Sequence, residues 1–202
     1  MHLGIPIQSM SSGYKIRNQN KIHFLTFTIV AWVDIFTRVR TKEILITALK
    51  YYQINQGLIL YSFVIMSNHI HIIASSKKGF KLSEFVRNFK SFTARRILDF
   101  LNSESEKRSD WIRVVFKFHA SFNARNSQYQ VWIQNSHPIE LESPEFIFQR
   151  LDYLHNNPVK AKIVDKAEHY LYSSARVYKG QRGMLELEII DDDWFDLNGI
   201  KF

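Results

Sequence analysis

The 202-residue chain contains no cysteine, which excludes disulfides and thiolate metal sites and agrees with a reducing cytoplasm. It has no low-complexity tract and no internal repeat, so neither disorder nor a repeat architecture is indicated. Its N-terminus lacks the charged region and long apolar core of a signal peptide. The most apolar stretch, His23 to Val33, is too short and too interrupted by threonine to span a bilayer. Together these absences predict a cytoplasmic protein with no membrane partner.

What is present is the composition of a folded protein, 46% hydrophobic and 14% aromatic, at a length that suits one substantial core. A single domain over residues 1–202 is expected, with its core at about 21–175. Gly4, Pro6, Ser9, Ser11, Ser12 and Gly13 make residues 1–20 an irregular leader. The net charge of +8 is unevenly placed: Glu186, Glu188, Asp191, Asp192, Asp193 and Asp196 against Lys201 give the segment 184–202 a net −5, leaving +13 on residues 1–183. A basic body with an acidic tail suits a polyanionic partner, because cations that neutralise phosphates release counterions. A solvated tail is the plain reading of the acidic segment, and competition with DNA for the binding face is the sharper one.

From Lys21, the run HFLTFTIV is β-branched and aromatic and predicts a first strand. Ile44, Leu45, Ala48, Leu49 and Tyr52 recur at helical spacing and predict a helix ending before Gly57. Leu58 to Met66 predicts a second strand, and Ser67-Asn68 a tight turn into a third, unless the two runs form one kinked strand. After Gly79, a long helix is predicted with Leu82, Phe85, Val86, Phe89, Phe92, Ile97, Leu98 and Leu101 on its apolar face. Lys77, Lys78, Lys81, Arg87, Lys90, Arg95 and Arg96 oppose only Glu84 in this region and predict a phosphate-tracking surface, which Arg125 could extend. Trp111 to Phe118 fits strand or helix, and Tyr129 to Gln134 reads as a strand. Ser143-Pro144-Glu145 has the form of a helix start, and Pro158 is expected to end that helix.

Two histidines give the chain its candidate chemistry. In a strand, His69 and His71 project on one face while Ile70 and Ile72 project on the other. Two neutral imidazoles so placed can share a divalent cation if a further ligand arrives from elsewhere. Tyr153 and Asn157, four residues apart at the end of the last predicted helix, can share one face. Two imidazoles and an amide oxygen, completed by water and a substrate phosphate, suit Mg2+ or Mn2+ better than zinc.

The blocks VIMSN followed by His-Ile-His, then YLHNNPVKA, then YLYSSA, resemble the REP-associated tyrosine transposases, a branch of the single-tyrosine HUH (IS200-like) superfamily. The resemblance runs from about His23 to Ala175 and leaves out the acidic tail. It implies an α+β, ferredoxin-like (RRM-like) sandwich with a central antiparallel sheet. It also implies metal binding by His69 and His71, Tyr153 as the nucleophile and Asn157 completing the metal site. The implied activity is that of a single-strand DNA endonuclease and strand transferase acting through a 5′-phosphotyrosine on hairpin-forming repeat DNA. Its partners would be single-stranded or hairpin DNA and a second copy in a homodimer, with no organic cofactor and with association to the nucleoid when DNA is bound. A catalytically idle single-strand binder and a phosphodiesterase in which water attacks are the competing readings.

Overall fold

The computed structural model describes residues 16–103, 108–122, 128–134, 136, 138–191 and 193–194. The predicted leader therefore lies outside the described residues up to position 15, as do Arg125, His137 and the last eight residues. The elements run β1 (His23–Thr28), α1 (Val39–Asn55), β2 (Leu58–Ile65), β3 (His69–Ser76), α2 (Leu82–Asn102), α3 (Ser109–Ser121), β4 (Ile139–Glu140) and α4 (Pro144–Lys160). The sheet order is β2-β3-β1-β4, with every named pairing antiparallel. This is the ferredoxin-like arrangement, with β1 and β3 as the central strands and β2 and β4 at the edges.

Strand alternation divides the core into two layers. Leu25 and Phe27 of β1 face α1 and α2, where the Phe27 ring lies 5.1 Å from Phe89 and Tyr52 lies 5.2 Å from Phe85. Burying a side chain such as Phe89 contributes about 1.5–3 kcal/mol. Phe24, Thr26 and Thr28 face the opposite side, and α4 covers that side against β2 and β3. Gly57, at the turn from α1 to β2, has φ +60°, and a Cβ there would come within 2.3 Å of the Phe80 ring. Only glycine suits both conditions.

Ser67-Asn68 is a tight turn, closed by Met66 N–H donating to the His69 carbonyl at 2.8 Å, so β2 and β3 form a hairpin rather than one kinked strand. Trp111 to Phe118 belongs to a helix, α3. Phe92, expected on the apolar face of α2, is instead exposed, because that face follows Phe85, Phe89, Thr93 and Ile97. Tyr129 to Gln134 is not a strand. Trp132 makes one isolated bridge to Ile29, and the chain returns to the sheet only at β4, opposite His23 and Phe24. The edge beside β1 is thus split into two short contacts instead of one ladder.

Ser143 caps α4, its hydroxyl accepting from Phe146 N–H at 3.3 Å, with Pro144 in the first turn. Pro158 does not end the helix, which continues to Lys160. The end is made by Lys162 in the left-handed conformation (φ 56°), with Ile163 N–H donating to the Pro158 carbonyl and Lys162 N–H to Val159. That hydrogen-bond pair is the one a C-terminal glycine usually makes, and here lysine takes the position. The acidic tail, read as solvated, is docked over its described part. Leu185 and Ile190 are buried, Glu188 N–H donates to the Leu60 carbonyl at 3.0 Å, and Trp194 packs edge-on against Tyr61. An open strand edge on β2 is covered in this way.

Candidate active site

The β1–β3 register sets Thr26 opposite His71 and Thr28 opposite His69, all on the face covered by α4. The two imidazole rings lie 4.6 Å apart, centroid to centroid. Each Nδ1 has its own partner. His69 Nδ1 lies 2.6 Å from the side-chain carbonyl oxygen of Asn68, which can only accept, so Nδ1 carries the proton and Nε2 keeps its lone pair. His71 Nδ1 lies 2.8 Å from the Thr26 hydroxyl, and Phe24 stacks on the ring at 5.1 Å. Hydrogen bonds of this kind fix the orientation of metal-binding imidazoles.

Burial pushes the His71 imidazole down to about 3, with the His69 and Arg150 charges acting in the same direction, and burial also lowers His69. Both rings are therefore neutral at physiological pH and offer lone pairs. Among the described residues no three His, Cys, Asp or Glu side chains gather in one place, so a cation here would rest on two imidazoles and an oxygen of another kind.

Helix α4 packs over this face of β2 and β3. Because the helix continues through Pro158, Arg150, Tyr153 and Asn157 sit on one face at regular spacing. The Tyr153 ring lies 5.6 Å from His71 and 6.1 Å from Phe24, while the side chain stays 38% exposed. Asn157 is half-buried one turn further on. The Arg150 guanidinium lies 5.4 Å from the Phe24 ring, and its buried Nε has no hydrogen-bond partner among the described residues. Lys160 Nζ lies 5.6 Å from the Tyr153 ring centroid.

His155, on the neighbouring face of α4, points into the fold. Its Nε2 lies 2.8 Å from the Ser174 hydroxyl and 3.1 Å from that of Ser62. Both hydroxyls are fully buried. A register shift between Leu60 and Ser62 in β2 turns Ser62 towards α4, and Ser174 also bonds the backbone of Phe63. The sequence blocks around β3, α4 and YLYSSA therefore meet in space. Tyr170 and Tyr178 are packing groups whose hydroxyls donate to the carbonyls of Ile65 and Tyr61.

The predicted cationic surface lies elsewhere. Helix α2 covers the opposite side of the sheet, so Arg87, Arg95 and Arg96 on its outer face are separated from the histidines by the sheet. Lys77, Lys78 and Lys81 follow the far end of β3 from His69. Lys81 pairs with Glu84 and Arg96 with Asp99, while Lys90 donates to the carbonyls of Ile133 and Gln134 at 2.8 and 3.0 Å. Sequence reasoning passed over Thr26, Asn68, Arg150 and Lys160. Asn68 had the clearest signal, a polar side chain immediately before the first histidine.

Fold and site define a ferredoxin-like α+β protein with a two-histidine, one-tyrosine face. The chain belongs to the IS200-like transposase family, whose sequence profile matches residues 18–135, more than half of it. That match contains His69 and His71 and stops short of Tyr153 and Asn157. No curated protein matches the sequence. A solved structure of a REP-associated tyrosine transposase bound to a REP hairpin shares the fold, with a TM-score of 0.61 at 14% identity over 90% of this chain and 94% of that one. A crystal structure of a candidate transposase from Deinococcus radiodurans R1 is more distant, with a TM-score of 0.39 at 15% identity over 77% of this chain and 97% of that one. No helix among the described residues is long and apolar enough to cross a membrane.

Proposed function

We propose that the chain is a metal-dependent single-strand DNA endonuclease and strand transferase that acts on hairpin-forming DNA. The observation that carries this reading is the exposed Tyr153 ring 5.6 Å from His71, whose neighbour His69 lies 4.6 Å further along the same strand face. His69, His71 and Asn157 would hold Mg2+ or Mn2+, since both imidazoles are neutral and oriented through Nδ1. A divalent cation in that place polarises the scissile phosphate.

In the proposed step the Tyr153 phenolic oxygen bonds to phosphorus, the bond from phosphorus to the 3′ oxygen breaks, and the strand leaves with a free 3′-hydroxyl. The phenolic proton passes to solvent, which the exposure of Tyr153 allows, and the departing 3′ oxygen takes a proton from solvent in turn. Lys160 beside the Tyr153 ring, and Arg150 over the neighbouring Phe24 ring, would neutralise phosphate charge there. The phosphotyrosine remains a phosphodiester, so a second 3′-hydroxyl can displace Tyr153 and join the strands without a nucleotide cofactor. Hydrolysis by activated water would not need the phenol at all. The similarity in fold to a hairpin-bound transposase supports a hairpin substrate.

The test is cleavage of labelled single-stranded hairpin oligonucleotides with Mn2+. Wild type should cleave, while EDTA and Tyr153→Phe should each abolish cleavage with strand binding retained. Cleavage by Tyr153→Phe at the wild-type rate would establish water as the nucleophile. Binding without cleavage by wild type would favour a catalytically idle binder.

A further inference from the structure

Beside the histidines stands an aromatic side chain that the proposed chemistry does not use. Trp32 is 65% exposed and its ring lies 6.4 Å from that of His69, edge to face. Its backbone is unusual, since Ala31 and Trp32 both have positive φ, 53° and 56°. Side chains with a Cβ rarely adopt this conformation, and it persists only where surrounding bonds impose it. Those bonds are present. Ile29 N–H donates to the Asn68 carbonyl at 2.9 Å, Phe36 N–H to the Ser67 carbonyl at 2.8 Å, and the Asn68 side-chain amide to the Trp32 carbonyl at 3.3 Å. Val30 N–H donates to the Val131 carbonyl at 2.9 Å. The loop is thus fastened to the turn that leads into His69, and Asn68 holds both His69 and the Trp32 backbone.

Folding alone gives no reason to aim an indole outward at such a strained position. The protein buries Trp132 completely enough to use it as core, and leaves Trp32 open next to its proposed metal ligands. An outward indole on a fixed loop is a surface on which a nucleobase can stack, and stacking is open to any base because each has a π face.

We propose that Trp32 is a stacking platform for an unpaired base flanking the phosphate held at His69 and His71, and so positions the single strand for cleavage. The proposal rests on the single-strand reading above. It makes Trp32 a substrate-positioning residue, distinct from the residues that carry the reaction.

The test compares binding, by fluorescence anisotropy in EDTA, of a short labelled oligothymidylate and of an abasic strand with the same number of phosphates. Trp32→Gly removes the ring while suiting the left-handed backbone, and Trp32→Phe restores an aromatic surface. Trp32→Gly should weaken oligothymidylate binding roughly tenfold, with abasic-strand binding unchanged and Trp32→Phe recovering most of the loss. Equal loss on both strands, or no loss on either, would overturn the stacking role and leave the nuclease reading standing. Failure of wild type to bind either strand would remove the single-strand reading itself, and the stacking role with it.

Discussion

Asn68 joins two parts of the site: its side-chain oxygen lies 2.6 Å from His69 Nδ1, and its side-chain nitrogen donates to the Trp32 carbonyl. One amide therefore sets the ring that would bind metal and the loop that carries the exposed indole. Removing it should be felt at the metal. Asn68→Ala is expected to weaken Mn2+ binding about 10–100-fold, measured by electron paramagnetic resonance of free Mn2+ in the absence of DNA. Unchanged Mn2+ affinity would show that the amide does not orient His69.

His155 anchors α4, and therefore Tyr153, to β2 through the buried hydroxyls of Ser62 and Ser174. His155→Leu fills similar space but leaves that network short of a partner. A loss of about 1–3 kcal/mol in chemical denaturation is expected, together with a fall in strand cleavage larger than the fall in strand binding. A variant as stable as wild type would mean that the three groups do not act together.

Lys90 gives a pH signature. Burial pushes its ammonium down to about 8 from an ordinary value of 10.5, so between those two values the unfolded chain binds more protons than the folded one. Stability from this group therefore rises as pH rises from about 8 to about 10.5, and below about 8 the folded state carries the full burden of the buried charge. Lys90→Met should flatten this rise relative to wild type, by on the order of 3 kcal/mol across the window, as read by urea denaturation at several pH values. Parallel pH profiles for the two proteins would remove Lys90 as the source.

The docked tail gives a further expectation. Truncation after Gly183 removes the buried Leu185 and Ile190 and uncovers the Leu60 edge of β2. The melting temperature should fall by about 5–10 °C. Tighter single-strand binding by the truncated chain at low salt is the signature of a competing tail, and the docked arrangement predicts none.

How much of this could be read from the sequence depended on the range of the interaction. His69 and His71 sharing a face follows from strand alternation alone, and Ser143-Pro144 marked the start of α4 because capping is local. Pro158 misled because a proline in the last turn gives up only one hydrogen bond, and the Lys162 turn that ends the helix has no glycine to announce it. The strand expected at Tyr129 to Gln134 failed because its pairing depends on where β1 ends, which no local pattern records. The basic residues around α2 were read as a phosphate-tracking surface, and where that surface lies relative to the histidines was not legible. Helical spacing shows which residues share a face, but not which side of the sheet the helix covers. Arg150 and Trp32 were invisible for related reasons: the first acquires its place through α4 packing, the second through a strained loop.

The central claim is that Tyr153 becomes joined to DNA. The direct measurement is mass spectrometry of the protein after incubation with a single-stranded hairpin oligonucleotide and Mn2+, followed by proteolysis and mapping of the nucleotide-bearing peptide. The account predicts a covalent adduct on the peptide containing Tyr153, absent with EDTA and absent in Tyr153→Phe. Cleavage of the oligonucleotide with no adduct at any time point, or an adduct on another tyrosine, would contradict it.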